Sequence, residues 1–133
     1  MATPFDVYLV TPERELWSGQ ATMVVARGTE GEVGILAGHT PMLIELAISP
    51  LFIDTEDQGR VAAAVDGGFL HVVSSGIETR VDILAEYAEL KAEIDMELAR
   101  SQKEDAERRL AEHEDGSAEA DKARALSRLS LSS

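Results

Sequence analysis

Short apolar runs separated by turn-forming residues fill the first 85 residues of the chain. Phe5, Val7 and Leu9 occupy alternate positions before the turn signal Thr11-Pro12. A period of two is typical of strands that bury one face. Further short runs lie at 21–26, 42–48, 52–53, 61–65 and 69–73. Several short strands joined by short turns predict an N-terminal antiparallel β-sandwich over residues 1–85.

Two turn signals divide the longer of these runs. Ser49-Pro50 follows the run 42–48, and a proline removes a backbone donor from a strand ladder. Asp66-Gly67-Gly68 separates the runs 61–65 and 69–73, and two glycines after an aspartate are typical of a tight hairpin turn. We therefore expect one strand to end and another to begin at each signal.

Beyond residue 85 the apolar period lengthens to that of a helix. Leu90, Ile94 and Leu98 recur every four residues, and the stripe continues at Ala106 and Leu110. A second helix of about 14 residues follows, a length at which an isolated helix is marginal in water. Asp115-Gly116 ends the first helix, and Ser117 is the predicted N-cap of the second. The apolar side of the second helix carries Ala123, Leu126 and Leu129. The pattern predicts a C-terminal two-helix hairpin over residues 86–133.

Composition supports this division of the chain. Of the ten glycines, nine precede residue 86, and so do all four prolines. The second part is rich in Ala, Glu, Lys and Arg, which favour helix. Because the second helix is short, we expect it to dock on a neighbouring surface or to fray.

The net charge of −13 excludes several classes of partner. Nucleic acid and anionic lipid both attract clustered basic residues, so we expect no nucleic-acid binding and no direct lipid contact. The chain has no cysteine and no run of 18 apolar residues. Its first residues resemble neither a signal peptide nor a transit peptide, so we expect a soluble protein of a bacterial cytoplasm.

The sequence offers no constellation for catalysis. His39, His71 and His113 lack the close spacing of a zinc site, so we expect no metal. The glycines between residues 28 and 38 are not followed by the lysine that a phosphate-binding loop requires. No nucleophile elbow or acid–base pair of carboxylates is evident. We therefore expect no catalytic residues in this chain.

Three segments, in order, carry a family resemblance. The first is Glu30 to Pro41, which resembles the signature Glu-Gly-x-x-Gly-Ile-x-x-x-His-x-Pro of the epsilon subunit of rotary, F-type ATP synthases. The second is Asp66-Gly67-Gly68-Phe69-Leu70, followed by Val72, and the third is Val81 to Glu86. The resemblance covers essentially the whole chain.

The resemblance implies a non-catalytic rotor subunit of a proton-translocating ATP synthase. Such a subunit couples rotation of the membrane ring to ATP synthesis at the catalytic head, on the cytoplasmic face of the bacterial cell membrane. The sandwich would contact the gamma subunit and the rotor-ring subunits. The residues implied at this interface are Glu30, Gly31, Glu32, Gly34 and His39. The residues alone do not distinguish proton from sodium coupling.

The helical hairpin resembles the regulatory arm of the family. Folded, it packs on the sandwich, and extended, it reaches the alpha and beta subunits and inhibits ATP hydrolysis. The basic residues implied in that contact are Arg108, Arg109, Arg124 and Arg128. A solvated helix face explains the same four residues equally well, so both interpretations stay open.

Some relatives bind ATP on the folded arm, and the matching residues here are Ile94, Asp95, Ala99, Arg124 and Arg128. Leu98 stands where that pattern has an arginine, so a phosphate would lose its main charge partner. We therefore expect no cofactor. The alternative function is an ATP-sensing regulatory module of the same complex.

Overall fold

The computed structural model describes residues 3–76, 78–113 and 115–132, and within these ranges eight strands precede two helices. The strands are β1 (Phe5–Val10), β2 (Glu15–Ala21), β3 (Met23–Gly28), β4 (Gly31–Ile35), β5 (Met42–Asp54), β6 (Arg60–Ser74), β7 (Thr79–Ala85) and β8 (Ala88–Leu90). A 3₁₀ turn (Lys91–Glu93) leads to α1 (Met96–Glu112) and α2 (Gly116–Leu129). The predicted fold class, a β-sandwich followed by a helical hairpin, is confirmed.

The strands form one hydrogen-bonded path in the order β2-β1-β7-β6-β5-β3-β4, and β8 pairs with β6. The pairing of β1 with β7 is parallel, whereas the other pairings within the described residues are antiparallel. Period-two alternation is the same in both kinds of pair, so the sequence pattern did not reveal the parallel one.

Both turn predictions inside the long strands are wrong. β5 runs through Ser49-Pro50, and Pro50 keeps its register opposite Ala64 of β6. The proline is tolerated because β3 shifts register between Val25 and Gly28, so the ladder on that side of β5 is already interrupted.

β6 likewise continues through Gly67 and Gly68, where the chain bends instead of reversing. Their φ angles are +83° and +120°, which only glycine adopts easily. Before the bend β6 pairs with β8, and after it β6 pairs with β7. The bend thus lets one long strand serve both layers of the sandwich. The largest side chains enclosed between the layers are Leu9, Ile35, Leu51, Ile53, Leu70 and Ile83.

The two helices meet along a seam of buried alanines, Ala99 and Ala106 on α1 and Ala118 and Ala125 on α2. Their small side chains let the two backbones approach closely. The predicted apolar stripes are partly wrong, because Leu98 and Leu126 are 53% and 44% exposed. α2 is the helix that packs on β5 and β6.

Carboxylates begin both helices. Asp95 accepts a hydrogen bond from the amide of Leu98 at 3.0 Å. Asp115, not the predicted Ser117, is the N-cap of α2, and its carboxylate accepts from the amides of Ser117 and Ala118. These hydrogen bonds lower the pKa of Asp115, the one from Ala118 most strongly.

The connection between sandwich and helices remains attached to the sheet. β8 pairs with β6 over Ala88–Leu90, beyond the predicted boundary at residue 86. Glu93 then forms a two-point ion pair with Arg14, with both N–O distances 2.8 Å. No helix within the described ranges is long and apolar enough to cross a membrane.

Candidate functional site

The acidic residues of the predicted interface lie together at one end of the sandwich. Thr29 and Glu30 form the tight turn between β3 and β4, and Gly31, at φ +134°, supplies the backbone conformation that the turn needs. Glu30, Gly31 and Glu32 line a shallow depression of about 290 Å³, and Glu45 of β5 joins them. We call this group the acidic depression.

Gly34 and His39 lie elsewhere. Gly34 is near the far end of β4, and His39 is in the loop that leads to β5; neither lines the acidic depression. The His39 amide donates to the carbonyl of Leu36, and its Nδ1 lies 2.7 Å from the carbonyl oxygen of Thr40. The imidazole therefore braces its own loop. The preceding Gly38, at φ +82°, donates its amide to the Thr79 hydroxyl and ties this loop to β7.

A second surface consists of large apolar side chains on the outer face of β1, β5, β6 and β7. Tyr8, Leu43, Phe69 and Leu84 are 37–65% exposed. Phe69 pairs with Leu84, and the register places Leu43 beside His71 on the next row of the same face. We call these four residues the apolar face. Phe69 and Leu84 are neighbours, whereas His71 and Asp82 lie between Leu43 and Tyr8, and Leu43 also borders the acidic depression. Clusters of exposed apolar side chains commonly mark an interaction site.

The helices and the sandwich enclose a cleft with a volume of about 720 Å³. We call it the arm cleft. Its charged lining comprises four arginines (Arg108, Arg109, Arg124 and Arg128) and six carboxylates (Asp66, Glu89, Asp95, Glu104, Asp105 and Asp121). The cleft therefore has a surplus of negative charge despite its four arginines.

Each of these arginines is engaged by carboxylates of the same cleft. Arg108 binds Asp105, and Arg109 binds both Asp105 and Asp121. Arg124 lies 3.1 Å from Asp121 and 3.8 Å from Asp66. The four arginines that the sequence singled out thus share one region, and they join the two helices to each other and to the sandwich.

Arg128 is the most deeply placed of the four. Its Nη1 and Nη2 each donate to one oxygen of Asp66 at 2.9 Å, and its Nε donates to Glu89 at 2.6 Å. The Arg128 and Asp66 side chains are only 8% and 6% exposed. Burial alone would lower the pKa of Arg128, but the hydrogen bonds to Asp66 and Glu89 outweigh it and raise that pKa.

The five residues that match the ATP-binding pattern of some relatives are only partly brought together. Asp95, Arg124 and Arg128 line the arm cleft, whereas Ala99 is buried in the helix seam and Ile94 lies outside the lining. Leu98, which replaces the arginine of that ATP-binding pattern, also lines the cleft. Among the described residues, no group of three or more His, Asp or Glu side chains is placed to hold a metal ion.

Comparison with known proteins matches this architecture. The family model for the "ATP synthase, Delta/Epsilon chain, beta-sandwich domain" covers residues 4–91. The ATP synthase epsilon chain of Brevibacillus brevis is 48% identical over 106 residues, 80% of this chain and 77% of that protein. That of Thermobifida fusca is 51% identical over 104 residues, 77% of this chain and 74% of that protein.

The chain belongs to the ATP synthase epsilon chain family. As an epsilon chain it is a non-catalytic, central-stalk subunit of ATP synthase and part of the peripheral F1 portion of that complex. A chain of the Euglena gracilis mitochondrial ATP synthase OSCP/F1/c-ring assembly has a similar fold. That match has a TM-score of 0.77 at 26% identity and covers 98% of this chain and 80% of that one.

The apolar face is the part of this epsilon chain that the sequence analysis missed. In β7, Val81 and Ile83 point inward, so Leu84 must point outward. In β6, Leu70 and Val72 are buried, which places Phe69 outside. Once the inward positions are assigned, a leucine or phenylalanine at an outward position is the signal that reveals such a face.

Proposed function

We propose that the sandwich of this epsilon chain works as a wedge between two partners at the cytoplasmic face of a bacterial membrane. The apolar face docks on the gamma subunit, and the acidic depression faces basic loops of the rotor ring. The observation that carries this proposal is the apolar face itself. Four large apolar side chains stand in solvent on a chain of net charge −13. No other element of the described structure packs over them, so they are free to contact the surface of a partner protein.

The acidic depression supports the second contact. Glu30, Glu32 and Glu45 surround a concavity formed by a short hairpin at the end of the sheet. Such a cluster of carboxylates steers a basic partner and fixes its register. Proton coupling by the ring is part of this proposal.

For the helices we propose a regulatory arm that inhibits ATP hydrolysis when it is extended. In the folded form all four cleft arginines are bound to carboxylates of the same chain. Extension would exchange these carboxylates for acidic loops of the alpha and beta subunits. The same charges then serve both positions of the arm, which suits a two-state element.

An ATP-sensing role is the second candidate. The size of the arm cleft and the presence of Arg124 and Arg128 in its wall favour it. The surplus of carboxylates and the apolar Leu98 oppose it, since a polyphosphate needs unpaired donors. We therefore place the stalk role first.

The deciding experiment measures ATP hydrolysis by a cognate complex stripped of its epsilon chain. The complex is titrated with the full chain and with residues 1–94, which retain β8 and the Arg14–Glu93 pair. Stronger inhibition by the full chain supports the regulatory arm. Equal effects of the two would show that the chain acts as a coupling wedge alone, and failure of both to bind would refute the stalk role.

A further inference from the structure

A buried cluster of charged side chains joins the arm to the sandwich, in addition to the packing of α2 on β5 and β6. Arg128 comes from α2, Asp66 from β6 and Glu89 from β8. All three guanidinium nitrogens of Arg128 donate hydrogen bonds. One bond goes to Glu89, two go to Asp66 and one goes to the backbone carbonyl of Arg124. The Tyr87 ring lies 5.8 Å from the Cζ of Arg128. Geometry of this kind satisfies a buried guanidinium without any outside group.

The backbones of the two acidic residues are held by the sheet. Asp66 is paired with Ile48 of β5, and its amide donates to the carbonyl of Tyr87 at 2.9 Å. It immediately precedes the Gly67–Gly68 bend of β6. Glu89 is paired with Ala64 of the same strand. The sandwich therefore fixes the backbone positions of both acceptors, whereas the arginines that bind their carboxylates belong to the arm.

A phosphate ligand would meet this arrangement unfavourably. To reach Arg128 it would have to displace Asp66, and the buried Asp66 would then lose both of its short hydrogen bonds and keep only Arg124, at 3.8 Å. Arg124, the next cation along α2, is itself within 4 Å of Asp66 and Asp121. Leaving a buried charge unpaired costs more than an exposed contact returns.

We propose that Asp66 and Glu89 form a built-in clamp on Arg128, which holds the arm down in place of a nucleotide. This inference rests on the proposed regulatory arm and specifies how its folded position is maintained. The folded arm of this chain is accordingly independent of ATP. Its release depends on competition for Arg128 by carboxylates of another protein.

The test uses the full chain and hydrogen–deuterium exchange of the α2 amides. D66N keeps the shape of the side chain and removes its charge. Since removing one partner of a buried pair is strongly destabilising, α2 exchange should rise by about tenfold or more, while β5 and β7 stay protected. E86Q is the matched control, because Glu86 lies beside Gly67 but forms neither a hydrogen bond nor an ion pair with Arg128, and it should behave as wild type.

R128K provides a second variant that keeps the charge. An ammonium cannot reproduce the fork that spans Asp66 and Glu89, so α2 should loosen in R128K as well. Adding millimolar Mg-ATP or inorganic phosphate to the wild type should leave α2 exchange unchanged.

Protection of wild-type α2 by ATP, or unchanged exchange in D66N and R128K with the sandwich intact, would overturn the clamp. Loss of β5 and β7 protection in D66N would also overturn it, since Asp66 would then be a fold residue. A separate hydrolysis assay tests the arm's function. If D66N loosens α2 without altering hydrolysis by the complex, the clamp stands and the inhibitory role fails.

Discussion

Single side chains in the docked arm have distinct and separable roles. Ser127 is 5% exposed, and its hydroxyl has no hydrogen-bond partner among the described residues. A buried, unpaired hydroxyl carries a desolvation cost, so S127A should stabilise the chain by about 1 kcal/mol. Urea denaturation measures this. The control is S130A, which removes an exposed hydroxyl bonded to the Ser127 carbonyl and should not stabilise. Destabilisation by S127A would show that the hydroxyl has a partner in solution.

Asp95 illustrates how one residue type admits two roles. The family resemblance matched it to the ATP-binding pattern of some relatives, whereas in the structure its carboxylate caps α1 through the Leu98 amide. D95A should therefore destabilise the first turn of α1 by about 1 kcal/mol, and D95S, which can also cap, should restore most of that loss. Amide exchange in the first turn of α1 measures both variants. If D95S is as labile as D95A, capping is not the role of this carboxylate.

At the scale of elements, the bend in β6 decides the architecture. A Cβ at Gly68 would lie 2.2 Å from the carbonyl oxygen of Leu84 and 2.8 Å from the Cα of Ala85. G68A should cost about 2–4 kcal/mol, since it combines a strained φ with a backbone clash. G59A is the control: its φ is also positive, at +71°, but nothing lies within 4 Å of the added methyl. Thermal unfolding should separate the two variants clearly, and equal effects would remove the clash from the explanation.

The connection between sandwich and arm should be sensitive to acid. The hydrogen bond from Arg14, reinforced by the Leu90 amide, lowers the pKa of Glu93 below its ordinary 4.5. A carboxyl with a lowered folded-state pKa contributes stability above pH 4.5 and loses it as the pH falls through the folded-state value. The difference in unfolding free energy between wild type and E93Q should be constant near neutrality and vanish in acid. A difference that grows on acidification would contradict this assignment.

The sequence predicts an element well when the residues that determine it are close together along the chain, and poorly when they are distant. Period-two alternation reflects a buried face, so β1 and the sandwich class were predictable from residues near one another in the chain. The β6 bend was not, because Gly67 and Gly68 bend or reverse a strand depending on distant partners, here β7 and β8. The charge clusters followed the same rule. The arginines could be named in advance, but the pairing of Arg128 with Asp66, 62 residues away, depends on the completed fold.

At the scale of the whole molecule, the two proposed docking surfaces differ in their physical chemistry and should respond differently to salt. F69S removes most of an aromatic anchor from the apolar face and should weaken binding to an epsilon-depleted complex by about 1.5–3 kcal/mol at any ionic strength. The double variant E30Q/E32Q should weaken binding chiefly at low salt, because exposed charges are screened over about 8–10 Å at physiological ionic strength. Titration at two salt concentrations measures both.

The effect of the net charge of −13 on binding has to be distinguished from the effect of the acidic depression alone. E56Q/D57N removes the same number of charges from the exposed turn between β5 and β6, which follows the end of β5 away from Glu45. If it reduces binding as much as E30Q/E32Q does, overall charge rather than the acidic depression is responsible. If F69S, with β6 and β7 still protected from exchange, binds as wild type, the apolar face is not the stalk contact. A loss of binding that is independent of salt for F69S and confined to low salt for E30Q/E32Q, with no loss in the control, supports a wedge held by burial at the apolar face and steered by charge at the acidic depression.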